Sequence, residues 1–550
     1  MIALEYHDQT KHHFRRFARS LGYLDWATQP DPFRRYIGAP LVTLSRTPLA
    51  AAVPYAALFD GTASVAPLTR ESIGEFLRCS MGLSAWKQYG ASRWALRVNP
   101  SSGNLHPTEA YVLAEGRLWH YAPREHALEE RAVLRDAGWT DWMGAASDGG
   151  VFCVALTSVH WREAWKYGER AFRYCQHDAG HAIGALRLAA ALLGWRLALL
   201  PRCSDAKLET LLGLDRDADF RDAEREAPEC LAVVTPGDPS RWIARDPAPL
   251  VDAARHATWR GTANRLSRDR TDWPIIDDVA AATRYPGTHR VGARSHGLSA
   301  ISHQVRATVR GVGAGSHQNG LLARTVILQR RSALAFDGET GLGRDAFITM
   351  LHRLRPPDPP WDAVEWPPQV HLALFVHRVE GLVPGIYAYL RDPSVLPEWK
   401  AAMRAEFLWE CVDDDLFLLA SADCRRLANR ISCDQDIAED GFFSLGMIAR
   451  VEPALREHGE WFYRRLYWEC GLIGQVLYLE AETTGGRATG IGCFYDDPVH
   501  EVLGLSGHTW QSLYHFSMGV PVDDPRLTTE PGYPWEAVGP LWESSRGADP

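Results

Sequence analysis

The second half of this chain repeats the first. Gly180 set against Gly471, 291 residues later, gives an offset that holds without gaps: Phe152 meets Phe443, Gly168 meets Gly459, Glu169 meets Glu460 and Arg173 meets Arg464. Farther on, Leu186 and Leu188 meet Leu477 and Leu479, Ala190 meets Ala481, and Gly194 meets Gly485. Leu212-Gly213-Leu214 then meets Leu503-Gly504-Leu505. An apolar strand pattern, a long helical pattern and the loop behind it all keep register, as two copies of one structural unit would. The chain is therefore expected to fold as two related domains, residues 1–250 and 251–550. Its 550 residues are enough for two sizeable cores.

Local patterning fills in each copy. Tyr6–Tyr36 reads as polar and helical until Gln-Pro-Asp-Pro at 29–32 breaks it. Leu68 to Leu83 is an amphipathic helix pattern, Ala110–Leu113 and Arg117–Pro123 are strand patterns, and Val151–Ser158 is a continuous apolar run expected as a buried strand. A helix is expected over Glu163–Leu193, stopping at Gly194. Pro236–Pro249, rich in Pro and Asp, marks the boundary of the first half. The second half opens with a polar helical stretch, Asp252–Arg270, and a Gly/Ser-rich loop, Gly311–Gly320. A helix over Arg344–Leu354, a Pro-rich break at 356–360, a strand over His371–Val376 and a long helix over Glu457–Thr483 follow.

Composition excludes several classes. Net charge is −9, so no basic face argues for nucleic acid. The N-terminus carries charge where a signal peptide would be apolar, and no run of about 18 apolar residues is long enough for a membrane span. The ten cysteines are scattered, with no Cys-x-x-Cys and no metal-ligand cluster, which reads as buried thiols in a reducing, cytoplasmic setting. Gly-x-Ser-x-Gly and phosphate-loop patterns are absent.

Chemistry concentrates in Arg97–Tyr111, Arg-Val-Asn-Pro-Ser-Ser-Gly-Asn-Leu-His-Pro-Thr-Glu-Ala-Tyr. Pro100 and Gly103 shape a turn while Ser101, Ser102 and Asn104 offer short polar groups, so a flat polar ligand can approach the backbone closely. Taken alone, the same residues also suit an ordinary polar turn.

Pro-Ser-Ser-Gly-Asn-Leu-His-Pro-Thr-Glu resembles the flavin-contacting loop of the FMN-dependent nitroreductase superfamily, in the spelling of its azoline-dehydrogenase (SagB/ThcOx-type) branch. Tyr-His-Asp-Gln-Thr-Lys-His-His near the N-terminus and Asp-Ala-Gly-His at 178–181 are similar to the same branch. The resemblance implies an α+β fold: two nitroreductase-like domains, each an antiparallel sheet flanked by helices, forming an intramolecular pseudo-dimer. Members of that superfamily place FMN at the subunit interface. An Arg-Arg-Ser motif and a late glycine loop come from one side, and the Pro-Ser-Ser-x-Asn loop from the other.

Here Arg330-Arg331-Ser332 and Gly490-Ile-Gly492-Cys493-Phe494 match the first set, and Pro100, Ser101, Ser102 and Asn104 the second. The mirror set is degenerate. The second half reads Arg355-Pro-Pro-Asp-Pro-Pro-Trp where the Ser-Ser loop would stand, the first half has Ser45-Arg46-Thr47 instead of Arg-Arg-Ser, and Pro201-Arg202 replaces Gly492-Cys493. Proline has no N–H to donate to a flavin. One FMN per chain is expected.

By the resemblance, Arg330 and Arg331 neutralise the FMN phosphate or bond the ring's electron-rich edge, Ser332 adds a donor, and the N–H groups of Gly492 and Cys493 face flavin N5. Arg526 is a further phosphate ligand on the same basis, and the Cys493 thiol is read as packing. Lys166-Tyr167 resembles the Lys-Tyr pair of azoline dehydrogenases, implicated in removing the proton that accompanies hydride loss. Without the resemblance the pair reads as a surface Lys and a packing Tyr. The second half has Glu457-His458 at those positions. His177 and His181 share a helix face, but no third ligand accompanies them and no metal site is expected.

The expected function is FMN-dependent dehydrogenation of a heterocyclic or peptide-like natural-product intermediate by a chain that works as a monomeric pseudo-dimer. An NAD(P)H-dependent reductase of nitro or quinone substrates, or a flavin-free scaffold binding a partner in the pseudo-dimer cleft, are the alternatives.

Overall fold

The computed structural model describes residues 1–134, 136–143, 150–287 and 320–536. The expected loop Gly311–Gly320 lies, except for Gly320, outside these residues.

The two halves build matching antiparallel sheets. In the first, Phe152–Ser158 is central, every residue buried, and pairs with Thr108–Ala114 on one side and Ala227–Thr235 on the other. In the second, Phe443–Arg450 is central and pairs with Val370–Val376 and Trp510–Gly519. Phe152 and Phe443, equivalent in the repeat, each begin the central strand. Outward from there, Arg117–Ala122 and Ala127–Val133 match Gly385–Tyr389 and Leu416–Ser421, while Arg196–Leu199 matches Arg487–Ile491 at the opposite edge. The strands Phe152–Ser158 and Val370–Val376 are mostly apolar along their length and buried at every residue, as strands covered on both faces are.

The first sheet gains an edge strand from Thr258–Trp259, and Tyr36–Ile37 pairs with Thr262–Ala263. The stretch expected as helix over Asp252–Arg270 is therefore helical over Ala248–Arg255 and then extended. The N-terminal segment is α-helical over Ile2–Gln9, where Tyr6 is buried and bonded to the Glu169 carbonyl and His7 is buried against Tyr463 and Gln511 of the second half. After a short 3-10 turn at Trp26–Thr28, Pro30 and Pro32 follow in an irregular stretch.

Each expected long helix is broken at its start. The first runs His160–Tyr167, turns at Gly168, and resumes as Ala171–Leu192; the second runs Val451–His458, turns at Gly459, and resumes as Phe462–Thr483. Gly168 and Gly459 have φ of +54° and +104°, a region that stops a helix and that glycine enters without penalty. Periodicity survives such a turn, which is why sequence alone joined the pieces.

Ala171–Leu192 and Phe462–Thr483 cross at the centre, and every residue of the first is buried. At the crossing the backbones touch: a Cβ on Gly180 would fall 2.7 Å from the Cα of Trp468, and one on Gly471 would fall 2.7 Å from the Cα of Gly180. Two ion pairs repeat the symmetry. Arg173 reaches across to Asp496 at 2.8 Å, and its equivalent Arg464 reaches back to Asp205, the equivalent of Asp496, at 2.6 Å. All four groups are buried, so removing one partner would strand a charge in the core.

The halves also exchange segments. Thr528–Pro531 pairs with Leu83–Tyr89, which pairs with Ser92–Arg97, forming a small sheet from both halves. Beyond it the Tyr533 hydroxyl donates to the Pro123 carbonyl at 2.6 Å and accepts from the Leu83 N–H at 3.1 Å. Arg78 clamps Glu536 through two bonds of 2.8 and 2.7 Å. Among the described residues no helix is long and apolar enough to cross a membrane.

Candidate functional site

The Pro100–Asn104 loop is held from below by the first long helix. The Ser102 N–H and hydroxyl donate to Asp178 at 3.0 and 3.1 Å, Ser101 Oγ accepts from the His106 N–H at 2.7 Å, and Asn104 donates to the Ala95 carbonyl at 2.8 Å. Gly103, Asn104 and His106 all have φ between +50° and +60°, so the loop turns tightly. Asp178 is buried, and burial pushes its carboxyl up to about 7 against the lowering effect of these hydrogen bonds.

Lys166 and Tyr167 approach the loop from the end of the preceding helix. A Cβ on Gly103 would lie 2.5 Å from the Tyr167 hydroxyl and 3.1 Å from Lys166 Nζ, so both polar ends converge on that one residue. Burial, then the nearby Glu163, raises the Tyr167 hydroxyl. Glu163 is buried with both carboxylate oxygens lacking a hydrogen-bond partner; burial first, then Asp178, pushes it well up.

The second half supplies the opposite wall. The helix Ala323–Gln329 ends at Arg330 and Arg331, which are 3 % and 8 % exposed. Arg330 donates from Nη2 to the Arg97 carbonyl at 3.1 Å and lies 4.9 Å from the Tyr478 ring, while its Nε and Nη1 are buried without a partner. Arg331 spends its guanidinium on the Leu328, Arg330 and Ser84 carbonyls; burial, then Arg330, pushes it down to about 9. Two buried guanidiniums side by side, bonded to carbonyls and to no carboxylate, form a strong anion-attracting wall. Ser332 shares a 3.0 Å hydrogen bond with the Tyr478 hydroxyl, which also accepts from the Gly490 N–H at 2.9 Å. Side chains at Gly490 and Gly492 would overlap Tyr514 and Tyr174, which packs the 490–493 backbone against two aromatic rings.

These walls enclose a cavity of about 760 Å³, within the range that binds a drug-sized or cofactor-sized molecule. Of the residues singled out in the sequence, Pro100, Ser101, Ser102, Asn104, Tyr167, Arg330, Arg331, Ser332, Gly492 and Cys493 line it. Lys166 is not among the lining residues, although its Nζ lies 3.1 Å from where a Cβ on Gly103, which does line the cavity, would stand. Arg526 is exposed and paired with Asp524 at 2.7 Å; its neighbours Asp524, Pro525 and Leu527 are at the cavity wall. The Cys493 thiol lies 2.9 Å from the Cys433 Sγ. Lys87, Arg487, Tyr478 and Tyr514 also line the cavity, and no sequence pattern marked them. Asp178, from the Asp-Ala-Gly-His segment, lines it as well.

The equivalent positions in the other orientation are filled. Arg465 replaces Tyr174 and is buried among Trp468, Tyr285 and Trp366, at 4.0, 5.0 and 5.2 Å from their rings. Glu469 replaces Asp178 and takes an ion pair from Arg391 as well as the Gln369 and Val370 N–H groups. Arg187 replaces Tyr478 and is locked to Asp362 at 2.8 Å. Among the described residues no group of three or more His, Cys, Asp or Glu is placed to hold a metal ion.

Residues 65–222 match the nitroreductase family model. A solved structure of a candidate nitroreductase from Anabaena variabilis covers 95 % of this chain and 99 % of its own at 21 % identity, with a TM-score of 0.63. A candidate nitroreductase from Ralstonia eutropha covers 39 % of this chain and 96 % of its own, at 16 % identity and a TM-score of 0.27. The E. coli microcin synthetase McbBCD complex with truncated pro-MccB17 bound covers 35 % of this chain and 71 % of its own, at 19 % identity and a TM-score of 0.25. Comparison with curated proteins gives no match. The fold is the nitroreductase fold: α+β, with antiparallel sheets flanked by helices.

Proposed function

We propose that this chain is an FMN-dependent oxidoreductase that holds one FMN in the cavity between residues 1–250 and 251–550. The observation that supports this best is the wall at Arg330, a cavity-lining residue whose Nε and Nη1 donors are buried without a partner, in the same cavity as the Pro100–Asn104 loop. Leaving such donors unmet costs about 1–3 kcal/mol each, and an anionic phosphate or an electron-rich ring edge satisfies them. The donor set therefore fits FMN. Arg330, Arg331 and Ser332 would hold it from one half, and Ser101, Ser102 and Asn104 from the other. The backbone at Gly492 and Cys493 would lie along the ring, and Arg526 would sit at the rim.

Bound FMN supplies a two-electron hydride acceptor. The protein's own task is the proton. Lys166 Nζ and the Tyr167 hydroxyl meet at Gly103, where one group can take a proton from a substrate and the other can orient it. Burial pushes Asp178 and Glu163 up beside that point, so each holds its proton to a higher pH than an exposed carboxyl would. The finer reading is a dehydrogenase of the azoline (SagB/ThcOx) type acting on a heterocyclic or peptide-like intermediate. The filled equivalents Arg465, Glu469 and Arg187 support one site per chain rather than two.

The test is to release flavin by heat from the purified chain and count it. One FMN per chain is expected, followed by oxidation of candidate azolines without NAD(P)H. Two per chain would overturn the single site. None after reconstitution would sink the flavin reading in favour of a flavin-free scaffold, and rapid bleaching by NAD(P)H would favour a nitro or quinone reductase.

A further inference from the structure

Seven of the ten cysteines are buried, and Cys411 is exposed on its own; Cys433 and Cys493 are the remaining two, both partly exposed. Their sulfurs are 2.9 Å apart although 60 residues separate them in sequence. Each is fixed by its own element. Cys433 follows the helix Arg425–Ile431 with φ of +58°, and the next residue, Asp434, has φ of +55°. Two consecutive non-glycine residues in the left-handed region cost on the order of 1 kcal/mol each, and such a turn aims the Cys433 side chain inward. Cys493 follows the edge strand Arg487–Ile491; Gln435 donates to its carbonyl at 2.9 Å and Arg170 to the Gly492 carbonyl at 3.1 Å. Cys493 lines the large cavity.

We propose that Cys433 and Cys493 form a redox-active dithiol that reacts with low-molecular-weight disulfides at the cavity wall. The sulfurs need to close by less than about 1 Å to bond, because a disulfide spans about 2.05 Å. Cys493 is the attacking group. It attacks one sulfur of the small disulfide, the S–S bond of that molecule breaks, and one thiol leaves as its thiolate, which takes up a proton. Cys433 then loses its proton to solvent base and attacks Cys493 Sγ, expelling the second thiol. The balance is two cysteine thiols plus one small disulfide giving one protein disulfide plus two small thiols. The chain is oxidised by two electrons and the small disulfide is reduced by two.

The surroundings suit that order of events. Cys433 donates to Cys493 and, with His12 and Arg170 adding to it, pulls the Cys493 thiol down to about 5; the same contact pushes Cys433 up. Buried thiols elsewhere, such as Cys175 and Cys470, are pushed the other way by burial. The groups facing the pair are His12 from the N-terminal segment, Arg170 before the first long helix, Asp496 and Tyr495 after Phe494, Asp434 beside Cys433, and Tyr167 and Tyr174 from the first half.

The experiment uses the full chain as isolated, equilibrated in glutathione buffers from reducing to oxidising, alkylated and mapped by peptide mass. The expected result is a reversible Cys433–Cys493 cross-link in oxidised buffer, with both residues alkylated in reduced buffer. Cys433→Ser should trap one glutathione on Cys493, and alkylation of Cys493 at pH 6 should run at least about 10-fold faster than that of free cysteine. Both residues remaining alkylated in oxidised buffer, or a cross-link through other cysteines, would overturn the proposal. If Cys433→Ser does not fold, the wild-type map still decides. Flavin is counted separately by absorbance, and the proposal does not depend on the outcome of that count.

Discussion

Gly180 and Gly471 lie back to back where the two long helices cross, each pressed on the other's backbone. A Cβ on Gly471 would fall 2.7 Å from the Gly180 Cα, and one on Gly180 would fall 2.7 Å from the Trp468 Cα. Trp468 and His177 are themselves equivalent in the repeat, and Gly471 meets the His177 carbonyl as Gly180 meets that of Trp468. The contact is thus symmetric, and the pseudo-twofold axis passes through the pair of glycines.

Gly180→Ala should therefore destabilise the whole chain by about 3 kcal/mol or more, since what the methyl meets is backbone and cannot rotate away. The urea midpoint measures it. Gly343→Ala is the control: its nearest atom is Glu380 Oε2 at 3.9 Å, and a change below about 1 kcal/mol is expected. Equal effects at the two sites would mean that the helix crossing is not what holds the halves together.

Arg330→Ala should release the proposed cofactor. A charged donor bonding an anionic or electron-rich partner is worth about 1.5–3 kcal/mol, so FMN affinity should fall about 10- to 100-fold or more. Quenching of flavin fluorescence on binding gives the dissociation constant. Arg526→Ala should change it little, because the guanidinium is exposed and already paired with Asp524. An unchanged constant for Arg330→Ala would remove that residue from the site.

Lys166→Ala and Tyr167→Phe should slow turnover by about 100-fold or more while leaving flavin content intact, the signature of lost acid–base help rather than lost binding. Gly103→Ala tests the convergence independently. With φ of +59° and both polar ends within 3.1 Å of the new methyl, it should displace them and lower kcat without touching either residue. Loss of flavin from Lys166→Ala would instead give the residue a binding role.

Asp178 makes stability depend on pH. Its folded value of about 7 lies above the ordinary value near 3.9, so between these limits the folded chain holds a proton that the unfolded chain has released. Stability should be greatest below about pH 4 as far as this group is concerned and decline as pH rises through 7, by up to about 4 kcal/mol. Glu482, pushed up to about 7 by burial, acts in the same direction. Buried histidines such as His177, His181 and His515, held below their ordinary value by burial, act in the opposite direction, so the test is the difference between variant and wild type. Between pH 5 and 8 Asp178→Asn should lose less stability, or gain more, than the wild type; identical pH dependence in the two chains would contradict this.

Much of this was legible in the chain itself because its signals are local. Phe152–Ser158 reads as a buried strand since every residue is apolar or small, and it is one. The turn at Pro100–Asn104 announces itself through Pro, Gly and short polar groups. The break at Gly168 was not legible, because helical periodicity resumes two residues later and a single glycine does not say which sign its φ takes. Tyr6–Tyr36 reads as helical by polarity, yet beyond Gln9 it is mostly irregular. Lys87, Arg487 and Tyr514 carry no motif, and they reach the cavity from three elements remote in sequence.

The sequence by itself determined that there are two related units, where their central strands and long helices run, and which half carries each recognisable motif. These follow from spacing and residue type, which act over a few turns or a strand. The tertiary structure alone decided that Gly180 meets Gly471, that Arg173 pairs with Asp496 while Arg464 pairs with Asp205, and that Arg330 faces the Ser101–Ser102 loop across one cavity. It also decided that Arg465 fills the opposite side and that Cys433 touches Cys493. Such relations depend on how close packing orients whole elements. A contact between residues hundreds of positions apart leaves no period in the chain.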